Sequence, residues 1–249
     1  MQQRYKVVVA YDGSAYVGYQ VQKNGRSIQA ELNKALKKIT KGLEIAVTGS
    51  SRTDSGVHAN GQVVHFDVPF VIEEQSLLRA MNSILPSDIL IKTVQRVPDT
   101  FHARYSVTGK RYVYRVDVAP FPDPFKRLYT LHHPYRFNVE KMNQALQDVI
   151  GTHDFTSFCS TKSDKDDKMR TIYRADVYYD ETKQELVFTF EGNGFLYNMI
   201  RILVGTSLQI GDGLKDVHEM KRLLEVKERK QAGPTAPPQG LYLDEVFYD

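Results

Sequence analysis

The sequence has very little of several features that mark particular classes of protein. Its 249 residues include a single cysteine, Cys159, so no disulfide can form within the chain, as expected in a reducing compartment. No apolar run approaches the roughly 20 residues of a membrane-spanning helix. Residues 1–13 contain no apolar signal segment and lead directly into a predicted strand. These absences predict a cytosolic protein with no membrane attachment.

Sequence signals for cofactors and metals are also missing. There is no glycine-rich phosphate-binding loop, and no set of Cys and His residues has the spacing of metal ligands. The adjacent His132 and His133 lack such partners, so we assign them to the surface or to packing. We therefore expect neither a cofactor nor a metal ion.

The composition is that of an ordinary globular protein, with 41% hydrophobic and 25% charged residues. In the first half, the hydrophobic pattern predicts the order strand, helix, strand, strand, helix, strand. The predicted strands are residues 4–10, 43–47, 62–68 and 89–97. The predicted helices are residues 28–39, with Ser27 as the N-cap, and 77–85, which Pro86 ends. This order is typical of the split βαβ unit of ferredoxin-like folds.

The second half repeats that order loosely. Its predicted strands are residues 111–118, 171–179, 185–191 and 241–248. Its predicted helices are residues 139–150, which follow Asn138 as the N-cap, 195–210 and 216–225. Residues 162–168 (KSDKDDK) predict a mobile surface loop. We expect an α+β protein of two ferredoxin-like (split βαβ) lobes, residues 1–104 and 105–249. No flexible linker separates them, which predicts a shared core.

Positive charge is concentrated in one segment although the net charge is only +3. Between residues 101 and 136 there are seven cations and two anions, with tyrosines interleaved. The cations are Arg104, Lys110, Arg111, Arg115, Lys126, Arg127 and Arg136. Cations for phosphates and rings for unstacked bases are what RNA binding requires. The alternative is a solvated basic strand.

The connection at residues 48–61 (TGSSRTDSGVHANG) is polar and lies between two predicted strands. It brings Arg52, Asp54 and His58 close together in sequence. Asp54 has two open interpretations: a catalytic carboxylate, or a structural one that caps a turn with Ser55 and Gly56. A lone loop histidine such as His58 is usually a structural hydrogen-bonding group.

Several motifs in a fixed order resemble one known family. The loop motif SRTDSGVHA at residues 51–59 is similar to the active-site loop of the TruA-type tRNA pseudouridine synthases, usually GRTDAGVHA. Further similar motifs are YDG at 11–13, GYQ at 18–20, Gln29, FHAR at 101–104, KRYVY at 110–114, GFLYNMIR at 194–201 and TAPPQGL at 235–241. This chain departs from the family pattern at Ser51, Ser55 and Tyr19.

The resemblance implies isomerisation of uridine to pseudouridine at positions 38 to 40 of the tRNA anticodon arm. It assigns catalysis to Asp54, by attack on C1′ or C6 or through a glycal, with Arg52 and Arg201 as further catalytic residues. It implies substrate contacts from Tyr112, Leu241, Lys110 and Arg111. It also implies a homodimer, and one continuous, mainly antiparallel sheet with helices on one side and an RNA-binding cleft on the other.

Arg201 has a physical argument of its own. It is the only charged residue between Glu191 and Asp212, in a largely apolar stretch. A buried arginine needs an anion, because an unpaired buried cation costs several kcal/mol, order of magnitude. The resemblance pairs it with Asp54; the alternative is that its side chain reaches solvent at a helix edge.

Two competing functions belong to other classes. One is an RNA-binding module of the same fold without catalysis, which the joint presence of Asp54, Arg52, Tyr112 and Arg201 disfavours. The other is a hydrolase that cleaves the same glycosidic bond. Such hydrolysis usually needs a second carboxylate, and only Asp12 is a candidate to approach the loop.

Overall fold

The computed structural model describes residues 2–163 and 166–249. Two residues of the predicted mixed-charge loop, Asp164 and Lys165, lie outside the described residues. The chain forms two compact units: the first is Met1–Thr108 with Tyr242–Asp249, and the second is Gly109–Leu241. The sequence-based division at residue 104 assigned the closing residues to the second lobe, whereas here they belong to the first unit.

The described residues contain ten strands, five α-helices and three short 3-10 helices. The strands are β1 Gln3–Tyr11, β2 Thr48–Gly49, β3 His58–Val68, β4 Ile89–Val97, β5 Val107–Asp117, β6 Leu131–His132, β7 Gly151–Asp154, β8 Met169–Asp180, β9 Glu185–Gly192 and β10 Leu241–Tyr248. The α-helices are α1 Ile28–Ile39, α2 Glu74–Ile84, α3 Val139–Gln147, α4 Met199–Gly211 and α5 Glu219–Val226. The 3-10 helices are Thr156–Phe158, Arg229–Gln231 and Pro238–Gly240.

The first unit has the split βαβ order that its sequence predicts. Strand β1 lies between β4 and β3 and is antiparallel to both, and β2 extends the antiparallel pairing from β3. Strand β10 joins β3 in parallel, with Tyr242 opposite His58. Helix α1 begins after Ser27, whose side chain accepts the Ala30 N–H, and buries Ile28, Leu32 and Leu36.

The second unit has the strand order β5-β9-β8-β7, with antiparallel pairing throughout this path. Asn138 caps α3, as predicted, by accepting the Lys141 N–H at 2.8 Å. Helix α4 is apolar on nearly all sides and correspondingly buried. The α+β class with mainly antiparallel strands is therefore confirmed. None of the helices in residues 2–163 and 166–249 has the length and hydropathy that crossing a bilayer requires.

The predicted strand at residues 43–47 is wrong. These residues have no strand assignment, and β2 covers only Thr48–Gly49. Helix α1 satisfies the main chain here instead: Asn33 Oδ1 accepts the Val47 N–H at 3.3 Å, and Gln29 Nε2 donates to the Val47 carbonyl at 2.8 Å. An apolar pattern cannot show that helix side chains, rather than a neighbouring strand, provide these hydrogen bonds.

Two element boundaries also differ from the predictions. Helix α4 begins at Met199 rather than at residue 195, after Asn198 in a left-handed conformation (φ 62°). Strand β3 begins at His58, so the polar connection that carries Asp54 is confined to residues 50–57. A shorter connection between two paired strands leaves Asp54 less conformational freedom than the sequence alone indicates.

Candidate active site

The loop at residues 50–57, between β2 and β3, is fixed by main-chain hydrogen bonds. The Tyr19 N–H donates to the Thr53 carbonyl at 3.1 Å, and the Gly56 N–H donates to the Tyr16 carbonyl at 3.3 Å. Within the loop, the Val57 N–H donates to the Asp54 carbonyl at 3.1 Å, and Gly56 has φ 76°. A left-handed turn that favours glycine thus lies immediately beyond Asp54.

Two glycines of the segment 11–20 allow the loop to approach so closely. A Cβ atom on Gly13 would lie 2.0 Å from the Val57 carbonyl oxygen. A Cβ atom on Gly18 would lie 2.7 Å from the Thr53 carbonyl oxygen, and Gly18 also has φ 116°. The motifs YDG and GYQ are therefore the part of the chain against which the Asp54 loop packs.

Hydroxyl and amide side chains also hold the loop at residues 50–57 in place. Tyr11 Oη and Thr53 Oγ1 share a buried hydrogen bond of 2.7 Å. Gln62 on β3 accepts from Ser50 Oγ at 2.7 Å and donates to the Ser51 carbonyl at 2.9 Å. These supporting roles had no signal in the sequence, because a polar residue inside a strand is ordinarily assigned to the solvent face.

Ser55 is one of the departures from the family pattern, and it has a defined role here. Its Oγ donates to the Tyr16 carbonyl at 3.2 Å. Alanine, the usual residue at this position, has no group that can make this bond. The substitution therefore adds an attachment of the loop to the segment 11–20.

Asp54 and Arg52 occupy different environments on the same loop. The Asp54 side chain is half-buried, whereas Arg52 is exposed and makes no hydrogen bond or ion pair within the described part of the chain. The loop thus combines a half-buried carboxylate with an accessible cation two residues away. That arrangement can bind an anionic substrate and act on it through the carboxylate.

His58 is a structural group, as its sequence context predicted. It is buried, and its Nδ1 accepts the Gly13 N–H at 3.0 Å and lies 3.3 Å from Asp12 Oδ1. Its ring stacks on Tyr242 of β10, with 4.8 Å between the ring centroids. His58 therefore connects the turn after β1 to the beginning of the closing strand.

In the second unit, the two tyrosines of β5 differ in their contacts. Tyr112 is buried and meets the ring of Phe195 edge-on at 5.3 Å. Tyr114 is fully buried, and its Oη donates to the Pro237 carbonyl at 2.7 Å. Burial raises the pKa of the Tyr114 hydroxyl above its usual value. Tyr114 is therefore a packing residue.

Arg201 lies in the first turn of α4 and is half-buried. Its Nε donates to the Ala236 carbonyl at 2.6 Å, and its Nη1 donates to Asn198 Oδ1 at 2.8 Å. The Ala236 N–H in turn donates to the Arg201 carbonyl at 3.0 Å. The motifs at 194–201 and 235–241 are thus joined through Arg201, and Leu241 follows as the buried first residue of β10.

The basic segment is less positive than its sequence suggests. Strand β9 pairs with β5 and places acidic residues opposite the cations. Arg111 Nε lies 2.7 Å from Glu191, and Arg115 Nη2 lies 2.7 Å from Glu185. Counting charges along one stretch of sequence missed these anions, because they come from residues 80 and 70 positions away. The local excess of cations between residues 101 and 136 is therefore partly neutralised by ion pairs.

Comparison with known proteins decides the family. A family model described as tRNA pseudouridine synthase matches residues 7–106 and 145–249. The chain belongs to the tRNA pseudouridine synthase family. Members are isomerases that act on tRNA, and the expectation drawn from the motifs is confirmed at this level.

Individual synthases match over their whole length. The tRNA pseudouridine synthase A of Latilactobacillus sakei subsp. sakei (strain 23K) is 57% identical, with 100% of both chains covered. That of Lacticaseibacillus casei (strain BL23) is 55% identical over 98% of this chain and 99% of its own. That of Ligilactobacillus salivarius (strain UCC118) is 53% identical over 100% and 98%, respectively.

The motifs that resemble the synthase family are hydrogen-bonded to one another within each unit. The motifs at 11–13, 18–20 and 51–59 form one hydrogen-bonded assembly in the first unit. The motifs at 194–201 and 235–241 form another in the second. The described residues contain no group of three His, Cys, Asp or Glu side chains that could hold a metal ion.

Proposed function

We propose that this chain isomerises uridine to pseudouridine at positions 38 to 40 of the tRNA anticodon arm, and that Asp54 is the catalytic carboxylate. The observation that carries the proposal is the fixed loop at 50–57, which holds Asp54 half-buried beside the exposed Arg52. A rigid scaffold that presents reactive groups on a loop is a common design of active sites.

The chemistry suits a single carboxylate. The reaction breaks the N1–C1′ bond, turns the uracil and forms a C5–C1′ bond, while one proton leaves C5 and one is gained at N1. Substrate and product are isomers, so no redox partner or group donor is required. Asp54 acts as a nucleophile or base within the site.

Arg52 is proposed to hold the uridine outside the base stack. Removing a base from a stem costs a few kcal/mol, so an enzyme that acts on it must stabilise the extruded form. The Arg52 guanidinium is exposed and makes no ion pair within the described residues, which leaves it available to enter the stem-loop.

The second unit is proposed to supply the remaining substrate contacts. Tyr112 is assigned to the uracil ring, and its edge-on contact with Phe195 supports a fixed ring orientation. Lys110 and Arg111 are assigned to the RNA backbone, with the contribution of Arg111 reduced by its ion pair with Glu191. Leu241 is assigned an apolar contact with the substrate.

Replacing Asp54 provides the direct test. Asp54→Asn keeps the side-chain shape and removes the carboxylate, so we expect pseudouridine formation to be abolished while the fold and most tRNA affinity remain. Asp99→Asn, at an exposed position of the same unit, is the matched control and should keep full activity. Carbodiimide-based sequencing of treated tRNA measures the product at each position. Turnover of Asp54→Asn within about tenfold of wild type would remove Asp54 from this role.

Arg201 is proposed to be the counterion that keeps Asp54 ionised. Its own contacts with Ala236 and Asn198 support a fixed guanidinium. A carboxylate that loses its counterion takes up a proton more readily, so Arg201→Met should move the acid limb of the pH–rate profile to higher pH. Arg201→Lys keeps the charge and should retain more activity. An acid limb at the same pH in all three proteins would contradict the ion pair.

The proposed partners are tRNA and a second copy of the chain, and the proposed compartment is the cytoplasm. The family's substrate supports both tRNA as the partner and the cytoplasm as the compartment. The homodimer rests on the family resemblance.

A further inference from the structure

The turn between β4 and β5 exposes an aromatic ring beside a cation. We name residues 101–106 (FHARYS) the FHAR turn; it contains the one first-unit motif from the sequence that the site above does not use. Tyr105 is 78% exposed. Arg104 is exposed as well, and its guanidinium makes no hydrogen bond or ion pair within residues 2–163 and 166–249. The turn therefore presents a ring and a cation side by side to solvent.

The ring of Tyr105 is supported from below by His102. The two rings are stacked, with 4.3 Å between their centroids and 28° between their planes. His102 Nδ1 accepts the main-chain N–H groups of Arg104 at 3.1 Å and of Tyr105 at 3.2 Å. These bonds fix the orientation of the imidazole on which Tyr105 lies. Since His102 covers one face of so exposed a ring, the other face is open to solvent.

His102 in turn lies against a buried histidine of β3. Its ring centroid is 4.6 Å from that of His65, whose Nδ1 accepts the Ala103 N–H at 3.1 Å. Burial, with a smaller contribution from the charge of His102, lowers the pKa of His65 to about 4. His65 is therefore uncharged at neutral pH and keeps this acceptor. Three rings, those of His65, His102 and Tyr105, lead from the core of the first unit to its surface.

The main chain of the FHAR turn is held by side chains from both ends of the first unit. Arg4 Nη1 donates to the Phe101 carbonyl at 2.8 Å, and Tyr248 Oη donates to the Ala103 carbonyl at 2.6 Å. Burial raises the pKa of the Tyr248 hydroxyl, and a hydrogen bond with Ser50 opposes this rise. Because Ser50 is the first residue of the Asp54 loop, the FHAR turn and that loop share a support.

A fixed, open tyrosine face suits an unstacked nucleobase. Every base has a π face that can stack on an aromatic ring, and a neighbouring arginine can bind the phosphate that follows. An interface with another protein would instead favour apolar neighbours, whereas Tyr105 is flanked by the cationic Arg104 and the polar Ser106. An open ring face also has no group that reads a base edge. It therefore suits a base of any identity, and not the uridine that has to be selected beside Asp54.

We propose that Tyr105 is a stacking platform for an unpaired nucleobase of tRNA other than the target uridine, with Arg104 at the adjacent phosphate. His102 is the positioning residue that holds the platform ring. Stacking is tolerant of sequence, so this contact orients tRNAs that differ in the base at this position. The inference rests on the proposed action on tRNA and adds a contact outside the reacting nucleotide.

The first test measures tRNA affinity at one fixed salt concentration for wild type, Tyr105→Ala, Tyr105→Phe and the control Phe70→Ala. Phe70 is another exposed aromatic residue of the same unit, outside the FHAR turn. Tyr105→Ala should raise Kd about 5- to 150-fold, which corresponds to the roughly 1–3 kcal/mol of one base–aromatic stack. Tyr105→Phe keeps the ring and should bind like wild type, as should Phe70→Ala. Unchanged affinity in Tyr105→Ala, or equal losses in the Ala and Phe variants, would overturn the platform.

Kinetics and unfolding separate a platform from a structural role. Tyr105→Ala should raise KM in parallel with Kd while kcat at saturating tRNA and the urea midpoint stay close to wild type. His102→Ala should weaken tRNA binding as well, but the double variant should bind no more weakly than Tyr105→Ala, because His102 acts through Tyr105. Additive losses, or a loss of kcat or stability in place of affinity, would contradict the proposal.

A fluorescent base identifies the occupant directly. 2-Aminopurine replaces each unpaired nucleotide of the tRNA in turn, and stacking on a tyrosine quenches its fluorescence. One position should be dimmer in the complex with wild type or Tyr105→Phe than in the complex with Tyr105→Ala. If no position depends on Tyr105, or if Tyr105→Ala changes self-association and leaves tRNA affinity intact, the platform is refuted.

The same measurement distinguishes this proposal from the proposed function. Asp54→Asn, which removes the carboxylate, should show the same Tyr105-dependent quenching as wild type. Quenching that depends on Tyr105, without pseudouridine at positions 38 to 40, overturns the proposed function and leaves the platform standing. Pseudouridine formation by Tyr105→Ala with wild-type KM overturns the platform alone.

Discussion

The Asp54 loop at 50–57 and the loop after β5, residues 119–130, are both fixed, but by different means. The first is held by many neutral hydrogen bonds and by glycines that permit close main-chain approach. In the second, Lys126 lies between two buried carboxylates, Asp117 and Glu185. Loss of one neutral hydrogen bond costs about 1 kcal/mol, whereas an uncompensated buried charge costs several. The Asp54 loop should therefore tolerate single polar substitutions, and the loop at 119–130 should not tolerate loss of Lys126.

Removing the lysine should produce the largest effect. Lys126→Met removes the counterion of Asp117 and, among the described residues, leaves Glu185 paired with Arg115 alone, so we expect the free energy of unfolding to fall by about 3 kcal/mol. Lys183→Met is the matched control, because the Lys183 side chain is 58% exposed and lies 3.6 Å from Asp180, and the substitution should cost less than about 1 kcal/mol. Urea unfolding measures both. Equal losses would show that Lys126 does not anchor its loop.

Crowding the Asp54 loop should have the next largest effect. A methyl group at Gly13 overlaps the Val57 carbonyl, so Gly13→Ala should lower the free energy of unfolding by roughly 1–3 kcal/mol and reduce activity by displacing Asp54. At Gly194 only the Arg170 side chain comes within 4 Å, at 3.9 Å, so Gly194→Ala serves as the stability control. If both variants unfold at the same urea concentration, the close approach at Gly13 does not constrain the loop.

The smallest effect should have the opposite sign. The Tyr19 hydroxyl is buried against Gly49 below the loop and has no hydrogen-bond partner among the described residues. Tyr19→Phe should therefore raise the free energy of unfolding by about 1 kcal/mol with little change in activity. The same substitution at Tyr5, whose Oη donates to the Ile72 carbonyl at 2.7 Å, should lower it. Destabilisation by Tyr19→Phe would contradict the absence of a partner.

The sequence predicted most helices and strands where local signals, such as capping residues and prolines, agree with the hydrophobic pattern. Ser27 and Asn138 cap α1 and α3 as predicted, and Pro86 follows the end of α2. The failure at residues 43–47 has a physical reason: Gln29 and Asn33 provide hydrogen bonds that a neighbouring strand would otherwise make. Long-range side-chain contacts of this kind leave no periodic signal.

The sequence predicted the reactive groups of the candidate site but not the residues that hold its loop in place. Asp54 and Arg52 were identified through a motif. Gln62, which holds the loop, was not, and the motif assigned no supporting role to Thr53, because these roles depend on strand register and, for Thr53, on Tyr11 at a distance of 42 residues. The ion pairs of Arg111 and Arg115 were missed for the same reason. These ion pairs become apparent only from the pairing of β9 with β5.

Strand β10 follows the second unit in sequence but pairs beside the Asp54 loop, so the order of synthesis determines when this pairing can form. Tyr242 and Leu243 pair with His58 and Ala59, directly after the loop, and Tyr242 stacks on His58. A ribosome makes these partners only after residues 109–241, so a nascent chain holds an incomplete first unit throughout that interval. Chains released early would lack this pairing next to Asp54. The Asp54 loop therefore gains this pairing only after the second unit has also been synthesised.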